Sequence, residues 1–225
     1  PEGGTRAQEW RLAGLGEDKI ATLLEGMPGL EKLGFYPNRE GIRLRLPLED
    51  FNPDELERRL GKHLVSRKGA RLEDALVAKL GMRGETMSVA ESCTGGMLGA
   101  RITRVAGASE VFLGGVQSYA NEVKEKLLGA PNDLLISHGA VSEECARAMA
   151  EGARARLGAD WGLSITGIAG PDGGTEDKPV GTLHIALAGK EETRHIMRRA
   201  GWGREDNRLY AVQEALTLIW MALSD

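Results

Sequence analysis

Residues 88–103 read SVAESCTGGMLGARIT. An apolar, β-prone run from Thr86 to Ala90 enters a turn of small residues, and Thr94–Val105, stopped at Gly107, then carries helical spacing. A strand that passes through such a turn straight into a helix is the opening unit of an α/β layered domain. Free N–H groups at the start of that helix, together with its dipole, favour an anionic group such as a phosphate.

Outward from this stretch the same alternation continues. An amphipathic helix over Arg71–Leu80 precedes it. Strands at Val111–Tyr119, Trp161–Ile165, Thr182–Ala188 and Thr193–Arg199 follow, with helices at Ser142–Leu157 and Glu205–Leu223. Ser142 caps its helix, with Glu143 and Glu144 in the first turn. Residues 68–225 are therefore expected to form a layered α/β/α domain.

The first 67 residues follow another pattern. Residues 6–13 alternate weakly, and Asp18–Met27 sets Ile20, Leu23 and Leu24 at helical spacing. Leu33–Tyr36 and Ile42–Pro47 flank a Pro/Asn/Gly turn as a hairpin. Asn52-Pro53 opens a helix with Leu56, Leu60 and Leu64 on one face. This is a small α+β domain, 1–67, with a charged link near Ser66–Gly69.

Composition bounds the function. The 225 residues are 41% hydrophobic, enough for a substantial core, and Lys+Arg 29 against Asp+Glu 33 gives a net charge of -4. No global basic field exists to hold a nucleic acid backbone. Cys93 and Cys145 have no CxxC spacing, which excludes a thiolate zinc site and points to a reducing cytoplasm. No apolar run reaches the roughly 20 residues that span a bilayer. Beginning at Pro1, the chain reads as a fragment or processed product.

Two segments are candidates for chemistry: the Ala90–Gly96 turn, and the Gly- and Pro-rich loop from Gly167 to Gly181, which is built to let backbone approach something. Cys93, at a predicted helix start where thiol pKa falls, offers a cysteine-hydrolase alternative. Glu91 reads as a structural acceptor and His138 as a helix-entry residue. His63, His184 and His195 lack metal-ligand spacing.

Four strings, SVAESCTGGMLGARIT (88–103), VAGASEVFLGGVQSYANEVKEKLLG (105–129), HGAVSEECARAMAEGAR (138–154) and SITGIAGPDGGTEDKPVGT (164–182), together resemble the C-terminal, PncC-type nicotinamide-mononucleotide deamidase domain of the CinA family. The resemblance implies a cytoplasmic, homo-oligomeric amidohydrolase of pyridine nucleotide recycling. It would convert nicotinamide mononucleotide and water to nicotinate mononucleotide and ammonia without metal or cofactor. It also implies Ser109 as nucleophile, Lys124 as base, and Tyr119 orienting or relaying the proton. Ser92, Thr94, Gly95, Asn121, Thr166, Gly167 and Arg204 would bind substrate.

Arg204, at a predicted helix start, suits the phosphate, with Arg208 one turn later as the alternative. As a base, Lys124 needs its pKa lowered from about 10.4 to about 7 or 8, by desolvation or by a cation such as Arg204. Without the resemblance, Ser109 reads as a turn cap, Lys124 as a solvated lysine, Tyr119 as packing and Thr166 as a strand hydroxyl.

Residues 6–66 resemble the KH-type middle domain of the same family. The basic GxxG loop of a nucleic-acid-binding KH domain is not evident, since Gly14-Leu15-Gly16 runs into Glu17 and Asp18. A spacer or oligomerisation role is expected, with nucleic acid disfavoured. The family's further N-terminal domain, molybdopterin-binding-like and associated with ADP-ribose pyrophosphatase activity, has no counterpart in the sequence. The competing readings are a nucleotide-binding or regulatory module that no longer turns over, and a nucleic-acid-associated protein.

Overall fold

Alternating apolar residues build the first sheet. In the computed structural model, which describes residues 7–38, 40–47 and 52–225, β1 (Ala7–Leu12), β2 (Gly34–Asn38), β3 (Gly41–Pro47) and β4 (Leu64–Ser66) form an antiparallel sheet ordered β2-β3-β1-β4. Helices α1 (Glu17–Leu24) and α2 (Pro53–Leu60) bury Ile20, Leu24, Leu56 and Leu60 against Trp10, Leu12, Leu44 and Leu46. The α2 start is as read: Asn52 accepts hydrogen bonds from the Asp54 and Glu55 N–H groups, with Pro53 in the first turn. Its end is not. The helix stops at Leu60, Gly61 turns the chain at φ 51°, and Leu64 begins β4 instead of extending the helix face. Arg6 and Arg39, included in the predicted strand and hairpin turn, lie outside the described residues.

The second sheet follows from α3 (Leu72–Arg83), β5 (Met87–Glu91), α4 (Met97–Thr103), β6 (Phe112–Gln117), α5 (Asn121–Leu128), α6 (Asn132–His138), α7 (Glu143–Leu157), β7 (Trp161–Gly167), β8 (Thr182–Ala188), β9 (Thr193–Arg199) and α8 (Arg204–Ala222). Its order is β6-β5-β7-β8-β9, with β6, β5 and β7 parallel and β8 and β9 antiparallel additions. The layered α/β/α expectation holds. One face carries the large core, where Leu76, Leu98, Ile165, Ile185 and Leu216 meet, at about 1.5–3 kcal/mol per buried side chain. Within this unit, α5 and α6 were not expected from the sequence.

The other face is narrow, because α7 packs on it through small residues. Ala146 and Ala150 meet Ala186 and Ala188, and a Cβ on Gly152 would lie 2.0 Å from the Leu128 carbonyl oxygen. The close approach ties α7 to α5 and fixes what α5 presents to the sheet edge. Among the described residues no helix is long and apolar enough to cross a membrane.

Candidate active site

The site lies at the carboxyl ends of β5 and β7, the usual ligand edge of an open α/β sheet. Strand β5 ends in Glu91, which is 1% exposed. Its carboxylate accepts hydrogen bonds from the Gly96, Leu98 and Gly99 N–H groups at 3.0, 3.1 and 2.9 Å. The turn therefore wraps around an anion supplied by the chain itself. This corrects the expectation that these N–H groups receive a phosphate, since their charge complement is already in place. The turn also delays the helix to Met97, because Gly95 and Gly96 adopt φ 59° and 98°.

The far side of the turn is held by α8. Arg208 donates from Nε to the Cys93 carbonyl (3.1 Å) and from Nη2 to the Thr94 carbonyl (2.8 Å), and pairs with Glu205. With its donors engaged inside the protein, it braces the turn and is not the phosphate ligand considered for it.

Between the turn and α5 lies Lys124, 1% exposed. Its Nζ donates to the Ser118 carbonyl at 2.6 Å, the Tyr119 carbonyl at 3.3 Å and Ser92 Oγ at 3.3 Å. Burial lowers its pKa below the ordinary lysine value, while the nearby thiols of Cys145 and Cys93 act in the opposite direction. The lowering comes from desolvation and not from Arg204, whose guanidinium donates to the Gly170 carbonyl (2.7 Å) and Tyr119 Oη (3.3 Å). A lysine that titrates below its usual range beside a serine hydroxyl has the chemistry a base–nucleophile pair requires.

The serine hydroxyl beside Lys124 is that of Ser92, not Ser109. Ser109 is exposed in a short 3-10 turn before β6, whereas Lys124 follows the other end of that strand. Six strand residues separate the two ends by about 20 Å, so one chain does not bring Ser109 to Lys124. Nor is Lys124 returned by a turn: it sits on α5, one helical turn from buried Leu128.

The remaining predicted residues divide. Tyr119 is 66% exposed, with its phenol on Arg204 and only its carbonyl on Lys124, so it does not reach the amine as a relay. Thr94 is fully buried and its hydroxyl has no partner. Neither the Cys93 nor the Thr94 N–H donates to a backbone carbonyl within the described residues. Thr166 donates to the Ala140 carbonyl at 2.7 Å, anchoring the loop before α7. Gly95 lies in the turn, 3.6 Å from Arg208 Nη2 at its Cβ position.

Gly167 is hemmed in, its Cβ position 2.7 Å from both Leu183 Cδ2 and the Thr182 carbonyl, so it serves strand packing. Asn121 is exposed at the start of α5. Burial pushes the Cys93 thiol up to about 11, which removes the thiolate that the cysteine-hydrolase alternative needs. Among the described residues no three His, Cys, Asp or Glu side chains are grouped to hold a metal.

Sequence reasoning misses the Ser118 carbonyl, which has no sequence signal, whereas Glu91 is the structural acceptor expected of it. The signal for Glu91 was a carboxylate ending a buried strand just before a double glycine.

Residues 69–223 match the model of the CinA C-terminal domain. A CinA-like protein of Anaeromyxobacter dehalogenans (strain 2CP-C) is 54% identical over 152 residues, covering 68% of this chain and 37% of its own length. One from Parasynechococcus marenigrum (strain WH8102) is 42% identical over 224 residues, covering 93% of this chain and 52% of its own length. The chain thus spans about half or less of these curated relatives. Among solved structures, the competence/damage inducible protein CihA of Agrobacterium tumefaciens superposes with a TM-score of 0.66 at 38% identity, over 68% of this chain and 94% of that one. A CinA superfamily protein of Escherichia coli gives 0.65 at 28% identity, over 72% and 97%.

Proposed function

Since the chain belongs to the CinA family and carries that family's C-terminal domain, we propose that it is an amidohydrolase that converts nicotinamide mononucleotide to nicotinate mononucleotide and ammonia, with Ser92 and Lys124 as its reacting pair. The observation that carries the reading is the 3.3 Å contact between a buried lysine amine and a serine hydroxyl. Two carbonyls fix the amine, leaving it aligned on the third direction.

Uncharged Lys124 takes the Ser92 proton as Oγ attacks the carboxamide carbon. The oxyanion is stabilised by the N–H groups of the Cys93–Thr94 turn and the unpartnered Thr94 hydroxyl. Protonated Lys124 then passes its proton to the departing amine, releasing ammonia and an acyl ester on Ser92. The neutral amine next deprotonates a water, whose attack frees the carboxylate and restores the serine. Arg204, exposed at the mouth and bound to a carbonyl and a phenol, is the residue to exchange those contacts for the substrate phosphate.

Purified, EDTA-treated protein incubated with nicotinamide mononucleotide is expected to release ammonia. Ser92→Ala and Lys124→Ala each lower kcat by orders of magnitude, and Ser109→Ala leaves it near normal. Loss of turnover in Ser109→Ala with retention in Ser92→Ala would overturn the assignment. Binding of the nucleotide without ammonia release would replace the enzyme by a binding module.

A further inference from the structure

We propose that the outward face of the N-terminal sheet is a nucleotide site, with a phosphate held between Arg11 and Arg43 and a base laid on Tyr36. The proposal is independent of deamidation and concerns a surface remote in sequence from Ser92 and Lys124. Pairing of β1 with β3 sets Arg11 opposite Arg43, and pairing of β2 with β3 sets Tyr36 opposite Arg43. The three residues form one row across three adjacent strands. Trp10, Leu12, Ile42 and Leu44, their neighbours in sequence, are buried on the other face.

The arginine pair is not accounted for by the fold. Like charges directly opposite on a sheet destabilise it, yet Arg11 Nε and Nη1 and Arg43 Nε are closed to solvent and have no hydrogen-bond partner. Arg11 makes no hydrogen bond or ion pair among the described residues. Among the described residues Arg43 has only Glu9, at 3.7 Å and 52% exposed. A bound phosphate supplies what both lack, a shared acceptor of opposite charge.

Tyr36 gives the site its second half. A Cβ on Gly34 would lie 2.6 Å from Tyr36 Cε2 and 3.2 Å from Oη, so the ring turns its edge onto that glycine. Tyr36 is 45% exposed, leaving area for a stacked base. Neighbouring strands are about 5 Å apart, so the row measures about 10 Å, which suits one phosphate and one base. Arg45, exposed two residues along β3 from Arg43, adds positive charge. The overall charge of -4 excludes a global basic field, not this local one.

The test uses the full chain with adenosine monophosphate as probe, followed by titration calorimetry and thermal melting at two salt concentrations. Expected are saturable binding, a Tm that rises with nucleotide, and affinity that falls with salt. Arg11→Gln and Arg43→Gln each weaken binding by about 10–100-fold, the worth of one hydrogen bond to a charged group. Tyr36→Ala weakens adenosine monophosphate but not inorganic phosphate, and all three variants keep wild-type ammonia release. Arg43→Gln, at the more open position, carries the test if Arg11→Gln does not fold. Absence of saturable binding, unchanged affinity in the arginine variants, or far tighter binding of a ten-residue oligothymidylate than of the mononucleotide overturns the proposal.

Discussion

Lys124 Nζ stands 3.3 Å from Ser92 Oγ and 2.6 Å from the carbonyl of Ser118, so a single amine links the end of β5 to the loop that leaves β6. Its low exposure, at 1%, makes the proton on that amine the variable that decides the site's chemistry.

The sign of the pH dependence follows from burial, which lowers the folded-state pKa of Lys124 below the unfolded value. Between those two values the unfolded chain binds more protons, so this group's contribution makes folding stability rise with pH and flatten above about 10.4. Activity rises with pH as the amine loses its proton. In Lys124→Met the stability slope from this group disappears, which denaturant melts from pH 7 to 10 measure. An unchanged slope would mean that the amine is not desolvated.

Glu91 anchors the turn that carries Ser92 through three backbone hydrogen bonds. Glu91→Gln keeps the shape but removes the charge, and is expected to cost about 1.5–3 kcal/mol of stability. Urea unfolding reads the loss. Activity falls with it because the Ser92 hydroxyl loses its fixed position.

A thiol held near 11 is neutral at pH 7. Iodoacetamide at that pH is therefore expected to leave activity intact, and Cys93→Ser to retain most of it. Stoichiometric inactivation with alkylation of Cys93 would reopen the cysteine-hydrolase reading.

Gly152 faces the last residues of α5 so closely that a Cβ would sit 2.0 Å from the Leu128 carbonyl oxygen. Gly152→Ala must push α5 outward, at about 1–3 kcal/mol. Because Lys124 rides on α5, kcat is expected to drop more than stability alone explains, measured well below the melting temperature.

What could be read from the sequence was what periodicity and turn chemistry encode. β8 and β9 appear at their predicted bounds, and α2 begins at its Asn-Pro cap. Helix α5 was hidden for the reason that makes it interesting: its buried stripe is Lys124 and Leu128, and a lysine in the stripe erases the apolar period. β4 is three residues long, too short for alternation to register. Lys124, Ser92 and Arg204 were all named as site residues. The pairing of Lys124 with Ser92 was not legible, because it depends on strand order across the sheet, which local spacing does not carry.

Arg208 joins the final helix to a turn more than a hundred residues earlier in the chain. Without α8 the chain would still hold Ser92 and Lys124, but the turn that carries the hydroxyl would keep only the Glu91 side of its support. Removal of α8 is therefore expected to cost the site its shape as well as the core its packing.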